Sequence, residues 1–286
     1  MKYKVSDDLI FVSRFLNLSH EKLADQIGIP FETFSRLINN RLEPSEDLLE
    51  KIYSFIYKKG LELNKVKCEV YQKKYLALFF HGSKNEIEGE ISLDYSRSNV
   101  DFGPGFYMGD NYEQSLDFVA STKQGSIYIA KVDMSNLKIL NLDIGLDWML
   151  IIAFHRQKLE RFNSSKEYQR IKQLISKYDV IVGPIADNRM FTTIEDFTNS
   201  SINSEQAIHA LKDLSLGKQI VFKTKKAIKR IELIERLYVC ADEKHKAEKH
   251  KIQKIIDADT YIRDAYEAHV REGKYIKEVF DNERND

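Results

Sequence analysis

Two short polar segments of this sequence could hold a flat, polar small molecule. The first is His81-Gly82-Ser83, which follows the apolar run from Tyr75 to Phe80, so that an imidazole and a tight turn are expected at the carboxyl end of a predicted strand. The second is DFGPGFY, residues 101–107, in which Gly and Pro predict a close backbone approach before two aromatic rings. A helical pattern follows over residues 111–120. This order of elements predicts a small-molecule binding site.

The elements that must position these segments alternate irregularly along the chain. Further strands are predicted at 126–132, 137–142, 178–184, 219–223 and 230–239, and helices at 148–162, 166–177 and 204–214. Strands and helices without a regular βαβ rhythm favour a mixed α+β fold over a doubly wound sheet.

Short amphipathic helices precede this region. Ser19 is the expected N-cap and Gly28 the expected stop of one helix, and Pro30 opens the next, over residues 31–39. The pair resembles the helix-turn-helix of phage repressors, whose second helix enters the major groove. The resemblance implies DNA contacts from Thr33, Ser35, Arg36, Asn39 and Arg41. Basic residues barely outnumber acidic ones in residues 1–74, so a helical packing or dimerisation module that does not bind DNA is the alternative.

The sequence divides into four regions by composition and pattern. We predict an all-α helix-turn-helix domain at 1–60, a linker helix at 61–74, a mixed α+β domain at 75–240 and a helical extension at 241–286. The extension carries apolar residues at helical spacing within a densely charged segment, including Ile252, Ile255, Ile256 and Ile262. It is expected to be an amphipathic helix docked on the body; a partner-binding helix is the alternative.

Composition excludes several classes of protein. The chain has 286 residues, with 44 Lys and Arg against 44 Asp and Glu, so global charge favours neither a nucleic-acid nor a membrane partner. Two cysteines without metal-ligand spacing indicate neither a disulfide framework nor a zinc site, and no metal is expected. No apolar run reaches the roughly 20 residues that span a bilayer, and the first residues are not a secretory signal. A cytoplasmic protein is therefore expected.

Residues 75–237 resemble the NAD-binding domain of ADP-ribosyltransferases of the diphtheria-toxin and poly(ADP-ribose) polymerase type. In that superfamily one strand ends in His-Gly, a later strand carries a Tyr after a Gly, and a third begins with Glu or a substitute. The matching residues here are His81, Tyr107 and Gln219. The DFGPGFY segment and the GPIAD segment, residues 183–187, are also similar to a bacterial family of predicted ADP-ribosyltransferases.

The resemblance implies an NAD-dependent mono-ADP-ribosyltransferase that modifies a macromolecule and requires no metal. His81 would bond a ribose hydroxyl of the adenosine half, the Gly82 backbone would pair with the nicotinamide carboxamide, and Tyr107 would stack on the nicotinamide ring. Ser83 and Phe106 are implied as neighbouring contacts. Arg189 is a candidate for pairing with the pyrophosphate, and an ordinary surface Arg is the alternative.

Gln219 departs from the Glu that is commonest at the third position. A Gln accepts the same hydrogen bond from the ribose but brings no negative charge, and bonds to charged groups are about twice as strong. Three outcomes compete: a slower transferase, a transferase that borrows a nearby carboxylate, or an inactive binder. Asp187 is the first candidate for the borrowed carboxylate and Asp101 the second.

The implied setting is a bacterial toxin–antitoxin or phage-defence system, with an antitoxin protein as partner and a protein or nucleic acid as acceptor. Two other hypotheses compete. One is a DNA-binding regulator whose carboxyl-terminal domain senses NAD or another nucleotide without transfer. The other is a degenerate scaffold whose tail recruits a partner.

Overall fold

The computed structural model describes residues 1–93, 100–212 and 217–281, and for residues 253–261 and 263 it describes the backbone alone. The predicted helix end at residues 213–214 lies outside the described residues. The predicted apolar positions Ile255 and Ile256 lie outside the described side chains. The architecture is mixed α+β with an N-terminal helical region, as the sequence predicts.

The described residues contain thirteen α-helices and seven strands. The helices are α1 (Val5–Phe15), α2 (His20–Ile27), α3 (Phe31–Ile38), α4 (Glu46–Lys58), α5 (Leu63–Lys74), α6 (Tyr112–Val119), α7 (Leu146–His155), α8 (Lys166–Ser176), α9 (Asn188–Thr198), α10 (Ser204–Lys212), α11 (Lys225–Ile228), α12 (Ala241–Glu267) and α13 (Ile276–Asp281). The strands are β1 (Leu78–Ser83), β2 (Phe106–Gly109), β3 (Ser126–Val132), β4 (Ile139–Asn141), β5 (Val180–Pro184), β6 (Lys218–Phe222) and β7 (Ile231–Tyr238).

The chain divides into two compact units, each built from separate stretches of sequence. The first unit comprises Met1–Gly89, Ser115–Lys131 and Glu232–His250, and the second comprises Glu90–Gln114, Val132–Ile231 and Lys251–Asp286. The division by sequence order, at residues 60, 74 and 240, stays a prediction. None of the helices in the described part of the chain has the length and apolarity that a bilayer crossing requires.

Helix termini in the first unit follow their capping residues. The Ser19 side chain accepts a bond from the Lys22 amide at the start of α2, and Gly28 ends that helix at a φ of 77°. Ser45 caps α4 in the same way. Apolar residues of α1 to α5 form one core, and Tyr238 and Cys240 from the end of β7 complete it. The helical region therefore shares its core with a strand that lies far away in sequence.

Strand β1 extends further than the sequence predicts. The turn expected at His81-Gly82-Ser83 is wrong, because these residues continue the strand and pair antiparallel with β3. His81 lies opposite Tyr128, and Ser83 lies opposite Ser126. The ladder with β3 satisfies backbone groups that a turn would have exposed.

The second unit contains a sheet with the strand order β4-β5-β6-β2, in which only β4 and β5 are parallel. Helix α7 lies in its core, and residues 148–153 are all fully buried. A helix that is apolar on every side must be enclosed in this way. The predicted continuation of this helix to Phe162 is wrong: the helix ends at His155, and Gln157 takes a φ of 60°, which breaks the helical path.

The part of the carboxyl-terminal extension that follows His250 packs within the second unit. The Gln206 side chain donates to the Tyr266 carbonyl at 2.6 Å, and the Tyr266 hydroxyl donates to Asp196 at 2.9 Å. The Phe280 ring stacks on Phe162 with ring centroids 4.4 Å apart. This part of the extension is docked on the body, as the amphipathic pattern predicts.

A buried ionic cluster links the helices of the first unit to β7. Lys67 pairs with both Asp8 and Glu235, at 2.6 Å from the latter, and the two carboxylate side chains are only 2% exposed. Tyr53 donates to Asp8, and Tyr71 donates to Glu235. Burial opposes ionisation of Glu235, but the attraction of Lys67 outweighs it and lowers the pKa of Glu235. Removing any one of these charges would leave the others buried without full compensation, because water is excluded from the cluster.

We expect Lys67→Met to destabilise the protein by about 3–5 kcal/mol, because it leaves two carboxylates buried without their shared cation. The matched control is Lys2→Met, since the Lys2–Glu43 pair is 78% and 65% exposed and should contribute less than about 1 kcal/mol. Urea unfolding of the two variants measures both values. Equal losses would show that the buried cluster does not stabilise the fold.

Candidate functional site

The predicted site residues are divided over the two units. His81, Gly82 and Ser83 lie on β1 in the first unit, whereas Tyr107 and Gln219 lie on β2 and β6 in the second.

Tyr107 and Gln219 lie on one face of the second unit's sheet. Strands β2 and β6 are antiparallel, with Tyr107 opposite Val221 and Gly109 opposite Gln219. Directly opposed residues point to the same face, and so do residues two apart on a strand. The phenol and the amide are therefore diagonal neighbours, a spacing that their long side chains can bridge.

The Gln219 side chain is fixed by two acceptors. Its Nε2 atom donates to Asp101 Oδ2 at 3.0 Å and to the Pro184 carbonyl at 3.2 Å. Asp101 in turn accepts from an Arg156 guanidinium nitrogen at 2.8 Å and from the Ala186 amide at 3.3 Å. Both Asp101 and Gln219 are buried. The buried carboxylate is thus bonded by three donors, one of which is cationic.

The Tyr107 hydroxyl holds the turn of the DFGPGFY segment. It donates to the Gly103 carbonyl at 2.7 Å and accepts from the Phe102 amide at 3.0 Å. Burial raises the pKa of Tyr107 far above its ordinary value, so the phenol stays neutral. Gly103 has a φ of 72°, and a Cβ there would lie 2.3 Å from the His155 ring. Only glycine fits this position.

Two titratable residues beside this turn were missed by sequence analysis. Lys223 donates to the Phe102 carbonyl, and burial lowers the pKa of Lys223 to about 8. His155 lies against Gly103, and its Nε2 atom is buried without a hydrogen-bond partner among the described residues. Burial, with a smaller effect of the Lys223 charge, lowers the pKa of His155 to about 3. The position of His155 at the end of an apolar helix was the one feature of the sequence that could have pointed to it.

Asp187 and Arg189 have clear local roles. The Asp187 side chain caps α9, accepting from the amides of Arg189 at 3.0 Å and Met190 at 2.9 Å. Its other oxygen pairs with the Arg189 guanidinium at 2.9 Å. The carboxylate that contacts Gln219 is Asp101, the second candidate of the sequence analysis. The predicted catalytic role of Asp187 and the pyrophosphate contact of Arg189 stay predictions.

In the first unit, Gly82 allows α6 to approach β1 closely. A Cβ on Gly82 would lie 2.8 Å from the Ser115 carbonyl and 3.1 Å from the Phe118 ring. The Phe118 side chain is 49% exposed, so an accessible aromatic ring lies beside the predicted backbone contact. His81 lies across from Tyr128, with ring centroids 6.5 Å apart. Phe118 was missed because it follows the apolar pattern of its helix.

The predicted DNA-contacting residues lie on or just after α3. Arg36, Asn39 and Arg41 are exposed, whereas Thr33 and Ser35 are half-buried. The Asn39 side chain donates to the Ser35 carbonyl at 2.7 Å, so it stabilises the helix end.

The described residues contain no group of three or more His, Cys, Asp or Glu side chains arranged to hold a metal ion. A surface depression on α4 is lined by Lys51, Ser54, Phe55, Lys58 and Lys59. None of the predicted site residues lines it.

The depressed pKa of His155 predicts acid sensitivity. Between its unfolded pKa of about 6.5 and its folded pKa of about 3, the unfolded chain binds a proton at this residue that the folded chain does not. The free energy of unfolding should therefore decrease as the pH is lowered through this window, by up to about 1.4 kcal/mol per pH unit. We expect His155→Gln to lose this contribution, as measured by urea unfolding at pH 7 and pH 4.5. The exposed His250→Gln serves as control, and an unchanged pH dependence in His155→Gln would contradict the prediction.

Comparison with known proteins gives one result. No curated protein and no solved structure matches the chain. Residues 77–233 match the model of a family described as "Protein of unknown function (DUF3990)". The match covers more than half of the 286 residues and includes His81, Tyr107 and Gln219. On this match, the chain belongs to the DUF3990 family.

Proposed function

We propose that this protein is an NAD-dependent mono-ADP-ribosyltransferase that modifies a macromolecule. The observation that carries the proposal is the placement of Tyr107 and Gln219 on one face of neighbouring strands, with the Gln219 amide held by Asp101 and Pro184. This is the pairing of an aromatic ring with a fixed hydrogen-bonding group that the resemblance to ADP-ribosyltransferases leads one to expect.

The reaction breaks the bond between nicotinamide and ribose C1′. The leaving nicotinamide is already cationic in NAD, so the enzyme need not protonate it. The protein must instead hold NAD in place and stabilise the oxocarbenium-like ribose. In the proposal, Gln219 accepts a hydrogen bond from a ribose hydroxyl, and an acceptor nucleophile on the target attacks C1′. The electron pair of the broken bond leaves with nicotinamide, and the nucleophile's proton passes to solvent.

Tyr107 would contribute its ring rather than its hydroxyl. The hydroxyl already makes two bonds to the turn at Phe102 and Gly103. A ring fixed in this way loses little conformational entropy when a flat ligand stacks on it. We assign it the nicotinamide contact, with Phe106 as a neighbour on the same strand.

The proposal also keeps the roles that the resemblance implies for residues of the first unit. By resemblance, His81 would bond a ribose hydroxyl of the adenosine half, the Gly82 backbone would pair with the nicotinamide carboxamide, and Ser83 would be a neighbouring contact. The exposed Phe118 ring beside Gly82 supports a contact with a flat ligand there. Arg189 is assigned to the pyrophosphate.

The test is incubation with NAD labelled on its adenine half. We expect label on protein or nucleic acid together with free nicotinamide, and we expect His81→Ala, Tyr107→Ala and Gln219→Ala each to reduce transfer by roughly a hundred-fold. The matched controls are His250→Ala, Tyr275→Ala and Gln169→Ala, whose side chains are exposed. Equal transfer by a site variant and its control would remove that residue from the site. Absence of any transfer or nicotinamide release by the wild-type protein would overturn the proposal.

The proposed setting is a bacterial toxin–antitoxin or phage-defence system, with an antitoxin protein as a partner. This follows from the resemblance of a transferase domain joined to a repressor-like helical region. The accessible test is growth arrest on expression, relieved in the Gln219→Ala variant.

The second candidate function is DNA binding with nucleotide sensing by the remainder of the chain. The exposed cations Arg36 and Arg41 at and after the end of α3 favour it. If α3 reads bases, Arg36→Ala should weaken binding to a selected duplex by about tenfold or more. Fluorescence anisotropy with Arg14→Ala as control measures this, because Arg14 is an exposed Arg on α1. Equal affinities would leave α3 without a role in DNA recognition.

A further inference from the structure

We propose that Asp101 is a positioning residue that turns the Gln219 amide so that its carbonyl oxygen faces the ligand, and that this carboxylate is the reason why Gln, not Glu, occupies position 219. The proposal rests on the proposed transferase function for its catalytic consequence. Its structural part stands on the contacts of the second unit alone.

The orientation of the amide follows from its surroundings. One end of the Gln219 amide faces two oxygen atoms, Asp101 Oδ2 at 3.0 Å and the Pro184 carbonyl at 3.2 Å. An NH₂ group satisfies both, because it carries two hydrogens. The opposite assignment would place the amide oxygen against a carboxylate and a carbonyl, with no hydrogen available to any of the three. Nε2 therefore points toward Asp101 and Pro184, and in the proposal Oε1 is the atom that accepts a hydrogen bond from the ligand.

The two acceptors cannot easily move away. Asp101 is held by the Arg156 guanidinium at 2.8 Å and by the Ala186 amide at 3.3 Å. The Pro184 carbonyl also accepts from the Trp148 indole at 3.1 Å, and that ring is fully buried. The amide is thus positioned by groups that are themselves fixed, which is the condition for a preorganised acceptor. Within the described residues, no donor is bonded to Gln219 Oε1.

A glutamate in place of Gln219 would meet the same two oxygens. Two carboxylates about 3 Å apart cannot both stay ionised, so one of them would have to take a proton or move. The buried surroundings strengthen this repulsion, because little water screens it. The Asp101–Gln219 pair therefore has a polarity-reversed equivalent in the double variant Asp101→Asn/Gln219→Glu. In that variant the amide on the turn donates to the carboxylate on β6, while the Ala186 amide and the Pro184 carbonyl lose the partners that they have in the wild type.

This equivalence defines the experiment. We expect Gln219→Glu alone to lower kcat for NAD cleavage by at least about tenfold at pH 7.5, and Asp101→Asn alone to lower kcat with a smaller change in KM, because the Gln219 amide is then free to turn. The double variant Asp101→Asn/Gln219→Glu should regain at least about threefold of the kcat lost in Gln219→Glu, because the repulsion between the two carboxylates is removed. Asp143→Asn and Gln169→Glu, at exposed positions, are the controls. Full activity of Gln219→Glu alone, or a double variant no better than Gln219→Glu, would overturn the proposal.

A second measurement separates the positioning role from the proposed function. In the Gln219→Glu variant, the new carboxyl group faces Asp101, so its pKa should be raised above its unfolded value. Relative to the wild type, the stability of that variant should therefore be highest at low pH and fall as pH rises through the raised pKa. The double variant should show a smaller fall, because an amide instead of a carboxylate then faces the new carboxyl group.

These stability profiles do not depend on catalysis. If the wild-type protein does not cleave NAD, the transferase assignment fails, and the melting temperatures of these variants between pH 4 and pH 8 still decide the positioning role. Identical pH profiles for Gln219→Glu and the double variant would refute it.

Discussion

The contact on which the candidate site depends is the hydrogen-bonded Asp101 carboxylate. It is buried, and it gathers a guanidinium, a backbone amide and the Gln219 side chain from three separate stretches of the chain. A buried carboxylate left without such donors would cost several kcal/mol. Its bonds therefore fix the DFGPGFY turn against β5 and β6, and they give Gln219 a single orientation. Tyr107 adds a second tie to the same turn through Gly103 and Phe102.

The same physical rule organises the first unit, where a largely buried cation takes the place of the buried carboxylate. Lys67 joins Asp8 from α1 to Glu235 from β7, and two tyrosine hydroxyls complete the bonding of the carboxylates. The helical region consequently shares a core and an ionic cluster with β7. A region that resembles a separate helical module by sequence is, in its packing, part of a larger unit.

The two carboxylates proposed near Gln219 show how burial changes the interpretation of a residue. Asp187 follows a strand and precedes Arg189, a pattern that suits a ligand site as well as a helix cap, and the structure shows the cap. Asp101 precedes a Gly-rich turn, where an Asp is usually a simple turn residue, yet its side chain is buried and bonds Gln219. Sequence pattern ranked them in the opposite order because it contains no information on which side chain points inward.

The features that could be predicted from the sequence are local ones. The start and stop of α2 follow from Ser19 and Gly28, the enclosure of α7 follows from its apolar residues, and the mixed α+β class follows from the irregular order of strands and helices. Tertiary packing was needed to show that β1 continues through His81, that His155 lies on Gly103, and that Asp101 meets Gln219 across 118 positions of sequence. Capping and periodicity act over a few residues and are visible in the sequence. Strand register and side-chain burial depend on the packing of distant segments, and local sequence does not specify which of them will meet.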